Sequence, residues 1–365
     1  MKVAIIYDAI TEFGGAERVL RSLLHIYPDA DIFTTVADQT IINRFFPRLH
    51  PKKLHTLPPW VQGLATHTSL AQLLSPVIWK SFNLNGFDVV ISKPAHLMSN
   101  LVITRCTHIQ YIHTPPRNIF GIVPPTPLQR ATRYDQLIIP RYRRAIASTP
   151  FLLTNSYHMQ RRISTLLGVT PQVIYPPVRI PTRVQQRGQG RYYLTVGRLE
   201  KEKHIELAIM ACNMLKLPLM VVGKTNEPRY EQYLHSVAGP TITFLGFRSD
   251  QEIHALYKHA IAFLFTARDE DFGIAPVEAI AHSVPVIAYY GGGTKETVKE
   301  GVTGHFFFVH TAAALAATLK KFNPSLFRPA ALHAHAKKFS ETIFRKQFTA
   351  YIHTSRSESE AIGKK

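Results

Sequence analysis

Two glutamates enclose a Phe-Gly turn in residues 270–278, a segment that reads EDFGIAPVE. Pro276 suits the first turn of a helix, where its missing N–H leaves no hydrogen bond unmade. The backbone N–H groups of Phe272, Gly273 and Ile274 would then lie at the positive end of a helix dipole. This pattern predicts a place where diphosphate oxygens or sugar hydroxyls bind.

The two carboxylates of this segment can play different parts. Glu270 follows a predicted buried strand, where it can hold sugar hydroxyls. Glu278 lies near the start of the predicted helix, where it can accept hydrogen bonds from ribose hydroxyls. The alternative for Glu278 is a carboxylate that only complements the helix dipole.

Two cations follow the first predicted strand of the second half, where residues 196–203 read VGRLEKEK. Cleavage of a bond to a diphosphate builds negative charge on the departing oxygens, and a fixed guanidinium and ammonium stabilise that charge. Arg198 and Lys203 are therefore candidate diphosphate-binding residues. The alternative for Lys203 is a solvated charge run on an exposed loop.

Glycines end several of the predicted strands. Gly14 and Gly15 follow the first strand and precede a helix, so the backbone can approach an anion closely there. The full dinucleotide fingerprint Gly-x-Gly-x-x-Gly is absent from the sequence, which argues against a nicotinamide enzyme. Gly223 and Gly246 end two strands of the second half, and we expect a nucleoside to lie against their backbone.

Short β-rich runs alternate with segments of helical period in both halves of the chain. The alternation predicts an α/β fold with right-handed βαβ units and mostly parallel sheets. Residues 175–178 and the polar segment 181–191 interrupt both patterns, and we place the interdomain linker there. The predicted strands cover residues 3–7, 31–36, 87–92, 108–112 and 151–154, then 192–196, 219–222, 241–245, 261–265 and 284–288.

The 365 residues suit two domains of roughly 150 to 200 residues each. The net charge is +19, and residues 1–189 hold most of it, with 21 Lys and Arg against 8 Asp and Glu. Such a basic surface attracts nucleic acid, anionic lipid or phosphorylated substrates.

No apolar run of the sequence suits a signal peptide or a helix that spans a bilayer. The two cysteines are typical of neither a disulfide framework nor a zinc site, and they are consistent with a protein of the reducing cytoplasm.

The sequence of residues 270–307, EDFGIAPVEAIAHSVPVIAYYGGGTKETVKEGVTGHFF, resembles glycosyltransferase family 4, whose signature is two Glu separated by seven residues around a Phe-Gly turn. It looks most like the family's bacterial mannosyltransferase-type members. The similarity runs from about residue 3 to about residue 310. One departure is Ser283, because the family usually has Gly at this place.

The resemblance implies the GT-B fold, in which two Rossmann-like domains face each other across a cleft. It implies an acceptor-binding domain over residues 1–180 and a nucleotide-sugar-binding domain over residues 190–335. Residues 336–365 would form a C-terminal helix that crosses back to the first domain, and a tail. The family's reaction retains the anomeric configuration, and we expect neither a metal nor another cofactor.

The resemblance also assigns roles to residues. Family members carry a His at the place of His113 that positions the transferred sugar, so His113 and Glu270 are the predicted catalytic residues. The family's Arg and Lys of the motif at 196–203 grip the donor diphosphate. Its glycine loop approaches the donor phosphate and the acceptor, so Glu17 in that loop is a predicted acceptor contact. Arg117 follows a turn that Pro115 and Pro116 limit, and it is a second predicted contact, to an acceptor phosphate; the alternative for Arg117 is an ordinary surface arginine.

The substrates follow from the same resemblance. GDP-mannose is the favoured donor, and a UDP-hexose for glucosyl or galactosyl transfer is the alternative. A glycan or a polyprenyl-diphosphate-linked acceptor in surface polysaccharide biosynthesis suits the basic first half. That half also predicts peripheral contact with the inner, anionic face of a membrane, through residues 129–147 or through residues 57–74, which include Trp60.

Three alternatives remain open. Residues 269–271 spell Asp-Glu-Asp, an Asp-x-Asp triplet that in another glycosyltransferase fold holds a divalent metal. The run RYRR at 141–144 is typical of a basic nucleic-acid-binding protein, but no recognised nucleic-acid motif is present and no nucleic-acid partner is expected. A silent, hydrolytic or epimerising member of the same fold would hold the same donor.

Overall fold

The computed structural model describes residues 1–58, 62, 68–94, 98–102, 104–121, 134–186 and 188–362. The chain forms two compact units. Met1–Pro177 and Phe344–Lys365 form the first unit, and Val178–Ile343 forms the second. The first unit is therefore built from both ends of the chain.

The first unit contains a parallel sheet of seven strands in the order β3-β2-β1-β4-β5-β6-β7. Its strands are β1 Val3–Tyr7, β2 Asp31–Thr34, β3 Leu54–Thr56, β4 Val89–Lys93, β5 Thr107–Ile112, β6 Leu152–Thr154 and β7 Gln172–Val173. Its helices are α1 Gly15–Ile26, α2 Gln39–Phe45, α3 Thr68–Lys80, α4 Tyr134–Ala147 and α5 Tyr157–Leu167. The order of the strands reverses between β1 and β4, as in doubly wound folds.

The central strands of this sheet are buried on both faces. Ile5 joins the core cluster that contains α1, whereas its neighbours Ala4 and Ile6 join a cluster with Trp79 on the opposite side. Helices on both faces of a parallel sheet explain why β1 is a continuous apolar run, since successive side chains point to opposite faces.

The second unit contains a parallel sheet of six strands in the order β10-β9-β8-β11-β12-β13. Its strands are β8 Tyr192–Val196, β9 Leu219–Val222, β10 Ile242–Gly246, β11 Ala260–Phe265, β12 Val286–Tyr289 and β13 Gly304–Phe307. Its helices are α6 Ile205–Leu215, α7 Pro228–Ser236, α8 Asp250–Lys258, α9 Ile274–Ala281, α10 Thr294–Thr297, α11 Ala312–Lys321 and α12 Pro329–Ala336. The chain then continues into α13, Glu341–Ile362.

The predicted α/β class with two mostly parallel sheets is confirmed. Three short strands were absent from the prediction, namely β3, β7 and β13, and each lies at an edge of its sheet. Among the described helices, none is long and apolar enough to cross a membrane.

The two units divide between Pro177 and Val178. From that point the backbone already bonds within the second unit, where the Val178 N–H donates to the Phe339 carbonyl over 2.9 Å. Part of the segment predicted as a linker is also bonded there. The Gly188 and Arg191 N–H groups donate to carbonyl oxygens at the end of α8 and just after it, over 2.8 and 2.9 Å.

Candidate active site

In the second unit, the Phe-Gly turn leads into α9 as its sequence predicts. Gly273 precedes the first turn of α9 and has φ 94°, a left-handed conformation that glycine adopts without strain. Phe272 is buried and packs edge-on against Phe339, with ring centroids 5.5 Å apart. The start of α9 is therefore held in place by an aromatic contact.

Glu278 is half-buried and is the fifth residue of α9, so it lies beyond the first turn. The first turn holds no acidic residue. The Glu278 carbonyl accepts a hydrogen bond from the Nδ1–H of His282 over 2.8 Å. The structure thus leaves the N-terminal end of α9 without a carboxylate of its own helix, which favours an external anion there.

Lys203 and Glu270 meet in the structure, although 67 residues separate them. The Lys203 Nζ donates to the Glu270 Oε2 over 2.6 Å, and both side chains are partly exposed. The Thr266 hydroxyl donates to the Lys203 carbonyl over 2.9 Å, which ties the loop after β8 to the end of β11. An ammonium held by one carboxylate in a half-exposed position can exchange that partner for a phosphate oxygen.

Arg198 lies on the same loop but is more exposed. Its side chain is 58% accessible, and its Nη1 lies 3.0 Å from the Glu200 carboxylate. The contact is an exposed ion pair, which holds a side chain only weakly. The Arg198 side chain thus lies on the exposed part of the loop that follows β8.

Two of the predicted glycines lie together at the carboxyl ends of β9 and β10. The Gly223 N–H donates to the Gly246 carbonyl over 2.9 Å. Gly223 has φ 151°, and a Cβ at this position would overlap the carbonyl oxygen of Gly197 at the end of β8. Three neighbouring strands thus end in a surface of bare backbone, which a flat ligand can approach closely.

Three consecutive glycines, Gly291–Gly293, pack against the backbone of the Phe-Gly turn. They were not among the predicted site residues. The Gly293 N–H donates to the Glu270 carbonyl over 2.6 Å. A Cβ at Gly292 or Gly293 would overlap the backbone of residues 270–272. The three consecutive glycines after β12 are the sequence signal that could have shown this contact.

Ser283, the departure from the family pattern, follows α9. Its φ is 65°, in the region that glycine adopts readily and other residues adopt at a cost. Its side chain is buried, and its hydroxyl has no hydrogen-bond partner. The serine therefore occupies a position whose backbone suits glycine.

In the first unit, the predicted His113 directly follows β5. Its Nε2 is buried without a hydrogen-bond partner, and its ring packs edge-on against Tyr111 with centroids 4.8 Å apart. Burial holds the pKa of His113 well below its usual value, and the charge of Lys93 lowers it further. The imidazole is thus neutral near pH 7, and its buried Nε2 makes no hydrogen bond within the unit.

Gly14 and Gly15 lie at the start of α1 as predicted. The Gly14 N–H donates to the Glu17 Oε2 over 2.8 Å, and the Tyr7 hydroxyl donates to the Glu17 Oε1. Both carboxylate oxygens of the predicted acceptor contact Glu17 are therefore engaged within the unit. The Lys93 Nζ donates to the Tyr7 Oη over 2.5 Å, and Lys93 was not among the predicted site residues.

Further buried polar groups lie near this edge of the first sheet. A 3-10 turn at Ser99–Leu101 packs against β1 and β4, and the Ser99 N–H donates to the Asp8 carboxylate over 3.1 Å. The Ser99 hydroxyl and both side-chain polar atoms of Asn100 are buried without a partner. Such groups cost free energy unless a ligand or water satisfies them. Arg117, the other predicted acceptor contact, is half-buried in the segment after β5.

The predicted site residues thus form two groups. Gly14, Gly15, Glu17, His113 and Arg117 belong to the first unit, and the predicted donor-binding residues from Arg198 to Glu278, with Glu270, belong to the second. Among the described residues, no group of three His, Cys, Asp or Glu side chains is arranged to hold a metal ion.

Residues 180–329 match the family model described as glycosyl transferases group 1. The match lies within the second unit and covers most of it, so this unit is similar to group 1 glycosyl transferases, in agreement with the resemblance of its sequence motifs.

Two curated relatives and one solved structure extend the comparison. The chain is 28% identical to human alpha-1,3/1,6-mannosyltransferase ALG2 over 170 residues, which cover 38% of this chain and 41% of that protein. It is 26% identical to the O-antigen chain mannosyltransferase RfbU of Salmonella typhimurium, over 62% of this chain and 66% of that protein. The structure of Anabaena Alr3699/HepE in complex with UDP-glucose superposes with a TM-score of 0.73 at 18% identity, over 97% of this chain and 100% of that one.

The structural likeness confirms the predicted GT-B fold class. The chain spans about two fifths of the length of the human mannosyltransferase that it matches.

Proposed function

We propose that this protein is a hexosyltransferase that moves a hexose from a nucleotide diphosphate sugar to a glycan or lipid-linked acceptor. The observation that carries the proposal is the partly exposed Lys203–Glu270 pair, within the residues that match group 1 glycosyl transferases. It places a cation at the end of the sheet where open α/β folds bind ligands. The start of α9, with its N–H groups, follows Glu270 closely in the chain.

Mannose is the hexose that the relatives favour. Human ALG2 and Salmonella RfbU are both named mannosyltransferases, and GDP-mannose is therefore the first candidate donor. A UDP-hexose is the second candidate, because the similar Anabaena structure contains UDP-glucose. The role in surface polysaccharide biosynthesis that the sequence predicts fits the name of RfbU, an O-antigen chain enzyme.

The proposed reaction breaks the bond between the anomeric carbon and the donor diphosphate, and the diphosphate leaves with the electron pair. A bond forms between that carbon and an acceptor hydroxyl, whose proton passes to the departing diphosphate. Lys203 and Arg198 stabilise the negative charge that develops on the leaving group. Glu270 and His113 orient the sugar, and no metal is required. Activity that persists in excess chelator supports the last point, and complete loss of activity contradicts it.

A variant of Lys203 tests the donor site directly. Lys203→Met removes the ammonium but keeps the length of the side chain, so we expect about 30-fold weaker binding of the donor. A thermal-shift screen of nucleotides and nucleotide sugars first identifies the donor, because a ligand at 100 times its Kd adds about 2.7 kcal/mol of stability. Isothermal titration calorimetry then measures its Kd for each variant.

Lys201→Met is the matched control. Lys201 and Lys203 are the first and last residues of the 3-10 turn Lys201–Lys203, which follows β8. Lys201 is 67% exposed and pairs with Glu227. Its loss should change the Kd by less than about twofold, since exposed pairs contribute little. Equal donor affinity in the wild type and in Lys203→Met would contradict the proposed donor site.

The proposal includes peripheral binding to an anionic membrane through α4. This helix exposes Leu137 together with Arg141 and Arg144, so one surface offers an apolar side chain and two cations. Residues 129–133 of the predicted contact segment, and residues 59–61 and 63–67 of the other segment, which include Trp60, lie outside the described residues.

Sedimentation with vesicles that contain phosphatidylserine tests this contact. We expect binding that disappears at high salt and that falls at least tenfold in the double variant Arg141→Glu, Arg144→Glu. The double variant Arg48→Glu, Lys52→Glu makes the same change of charge at exposed positions elsewhere in the first unit and should retain binding. Binding to duplex DNA without binding to vesicles would favour the nucleic-acid alternative.

A further inference from the structure

A chain of hydrogen bonds links three elements of the first unit. Lys93 at the end of β4 donates to the hydroxyl of Tyr7 at the end of β1 over 2.5 Å. That hydroxyl donates to Glu17 in the first turn of α1. The Lys93 Nζ also lies 3.9 Å from the centroid of the Tyr7 ring. The three side chains are at most 8% exposed, so they form a buried polar network.

The network ends at the glycine loop. The second carboxylate oxygen of Glu17 accepts a hydrogen bond from the Gly14 N–H over 2.8 Å. Gly14 caps α1 without a side chain of its own, so Glu17 supplies the polar contact at this end of the helix. The position of Gly14 and Gly15 therefore depends on a carboxylate that Tyr7 and Lys93 hold.

Burial of a charged ammonium costs free energy, so a buried lysine is expected to have a role in the folded protein. Burial lowers the pKa of Lys93 to about 8, although the charges of Glu17, Asp8 and Glu12 act to raise it. A buried ionic group can often be replaced by an apolar side chain of similar volume without loss of stability. Packing alone therefore does not account for a lysine at the end of β4.

Lys93 also influences the neighbouring histidine. Its charge is the second cause, after burial, of the low pKa of His113. The titratable groups that interact with Lys93 thus come from β1 and its following loop, from α1 and from the segment after β5: Tyr7, Asp8, Glu12, Glu17 and His113. Lys93 is therefore the cation that acts both on the glycine loop, through Tyr7 and Glu17, and on the neutral His113.

We infer that Lys93 is a positioning residue, whose buried ammonium holds the Gly14–Gly15 loop through Tyr7 and Glu17. The inference deepens the proposed function and rests on it for its activity readout. With Lys93 protonated, the loop stays bonded to Glu17. When Lys93 loses its proton, the Tyr7 hydroxyl loses a charged donor and the carboxylate of Glu17 loses its counter-charge.

The pH dependence of turnover tests this role. For the wild type we expect kcat to fall about tenfold per pH unit above roughly pH 8, as Lys93 deprotonates. Lys93→Met should be about tenfold slower than the wild type at pH 7 and should show no such fall between pH 8 and 9.5. Tyr7→Phe, which keeps the ring and removes the link, should also slow turnover about tenfold. A fall above pH 8 that persists in Lys93→Met overturns the inference.

Hydrogen exchange gives a readout that needs no activity. Mass spectrometry of the peptide that covers residues 9–19 should show at least tenfold faster exchange in Lys93→Met and in Tyr7→Phe at pH 7. Lys80→Met removes an exposed lysine of the same unit and should leave exchange and the pH profile unchanged. Unchanged exchange in both network variants overturns the inference even if the wild type transfers no sugar. Absence of transfer by the wild type, with faster exchange in both variants, contradicts the proposed function alone.

Discussion

The two units fix their polar residues in different ways. In the first unit, buried side chains hold one another, as in the bonds from Lys93 through Tyr7 to Glu17. In the second unit, the charged pair Lys203–Glu270 is partly exposed, and the backbone around it is fixed by glycines in close contact with other backbone.

This difference predicts which kind of change will affect each unit. A network of buried charges depends on protonation, because each charge is stable only with its partner. Backbone contacts at Gly223, Gly292 and Gly293 depend on the absence of a side chain and carry no titratable group. We therefore expect changes of pH to affect the first unit, and substitutions that add a side chain at a glycine to affect the second.

The largest expected effect comes from a methyl group in the second unit. Gly223→Ala places a Cβ against the Gly197 carbonyl at a φ of 151°, and neither backbone can move without breaking the sheet. We expect a loss of more than about 3 kcal/mol in the free energy of unfolding. Urea denaturation followed by far-UV circular dichroism measures it.

Gly14→Ala makes the same change at the glycine loop of the first unit. There φ is −135°, and the nearest atom to the added Cβ is the Glu17 Oε2 at 3.4 Å. The cost should be below about 1 kcal/mol. Gly197→Ala is the control within the second unit, since its Cβ would meet nothing within 4 Å. Equal losses at Gly14 and Gly223 would remove the contrast between the units.

The next effect is a dependence of stability on pH. The pKa of Lys93 is lowered from 10.5 to about 8 in the folded protein. Between these values the unfolded chain binds the proton and the folded chain does not, so the stability that Lys93 contributes rises with pH. Relative to Lys93→Met, the wild type should gain up to about 3 kcal/mol between pH 8 and pH 10.5 and nothing below that window.

Stability and turnover should thus change in opposite directions above pH 8. Alkaline unfolding cannot then explain a loss of activity in the same range. Tryptophan fluorescence follows the first unit, because Trp79 is buried in one of its core clusters. A stability difference between the two proteins that stays constant from pH 7 to pH 10.5 would show that Lys93 titrates normally.

The smallest effect is a gain in the second unit. Ser283→Gly relieves a positive φ and removes a buried hydroxyl without a partner, so we expect about 1 kcal/mol of added stability. Thermal denaturation should show a higher Tm. Ser283→Ala removes only the hydroxyl and separates the two causes. A lower Tm in Ser283→Gly would show that the hydroxyl has an unrecognised role.

The sequence predicts most of the fold because buried parallel strands are continuous apolar runs. The strands β1 and β8 were predicted with the bounds that the structure has. The strands β3, β7 and β13 were not, because each lies at a sheet edge and has only two to four residues. Such segments become strands through pairing with a neighbour, which local composition does not record.

The candidate site, like the fold, was predicted only where local sequence carries the signal. Lys203 and Glu270 were both named from local motifs, but their contact depends on the 3-10 turn that brings the loop after β8 to the end of β11. Lys93 gave no signal, since a lysine that ends an apolar run is normally exposed. Its partner Tyr7 lies 86 residues away, and only the order of strands in the sheet places β1 beside β4.

The helix α13 has a consequence for the order of folding. Phe344, Phe348 and Ile352 complete the same core cluster as Ile5 and Val19, near the start of the chain. The last helix leaves the ribosome only after the second unit, which is continuous in sequence, has been synthesised. The core of the first unit therefore stays incomplete until α13 has been synthesised, and a nascent chain that lacks α13 exposes apolar side chains of that core to aggregation.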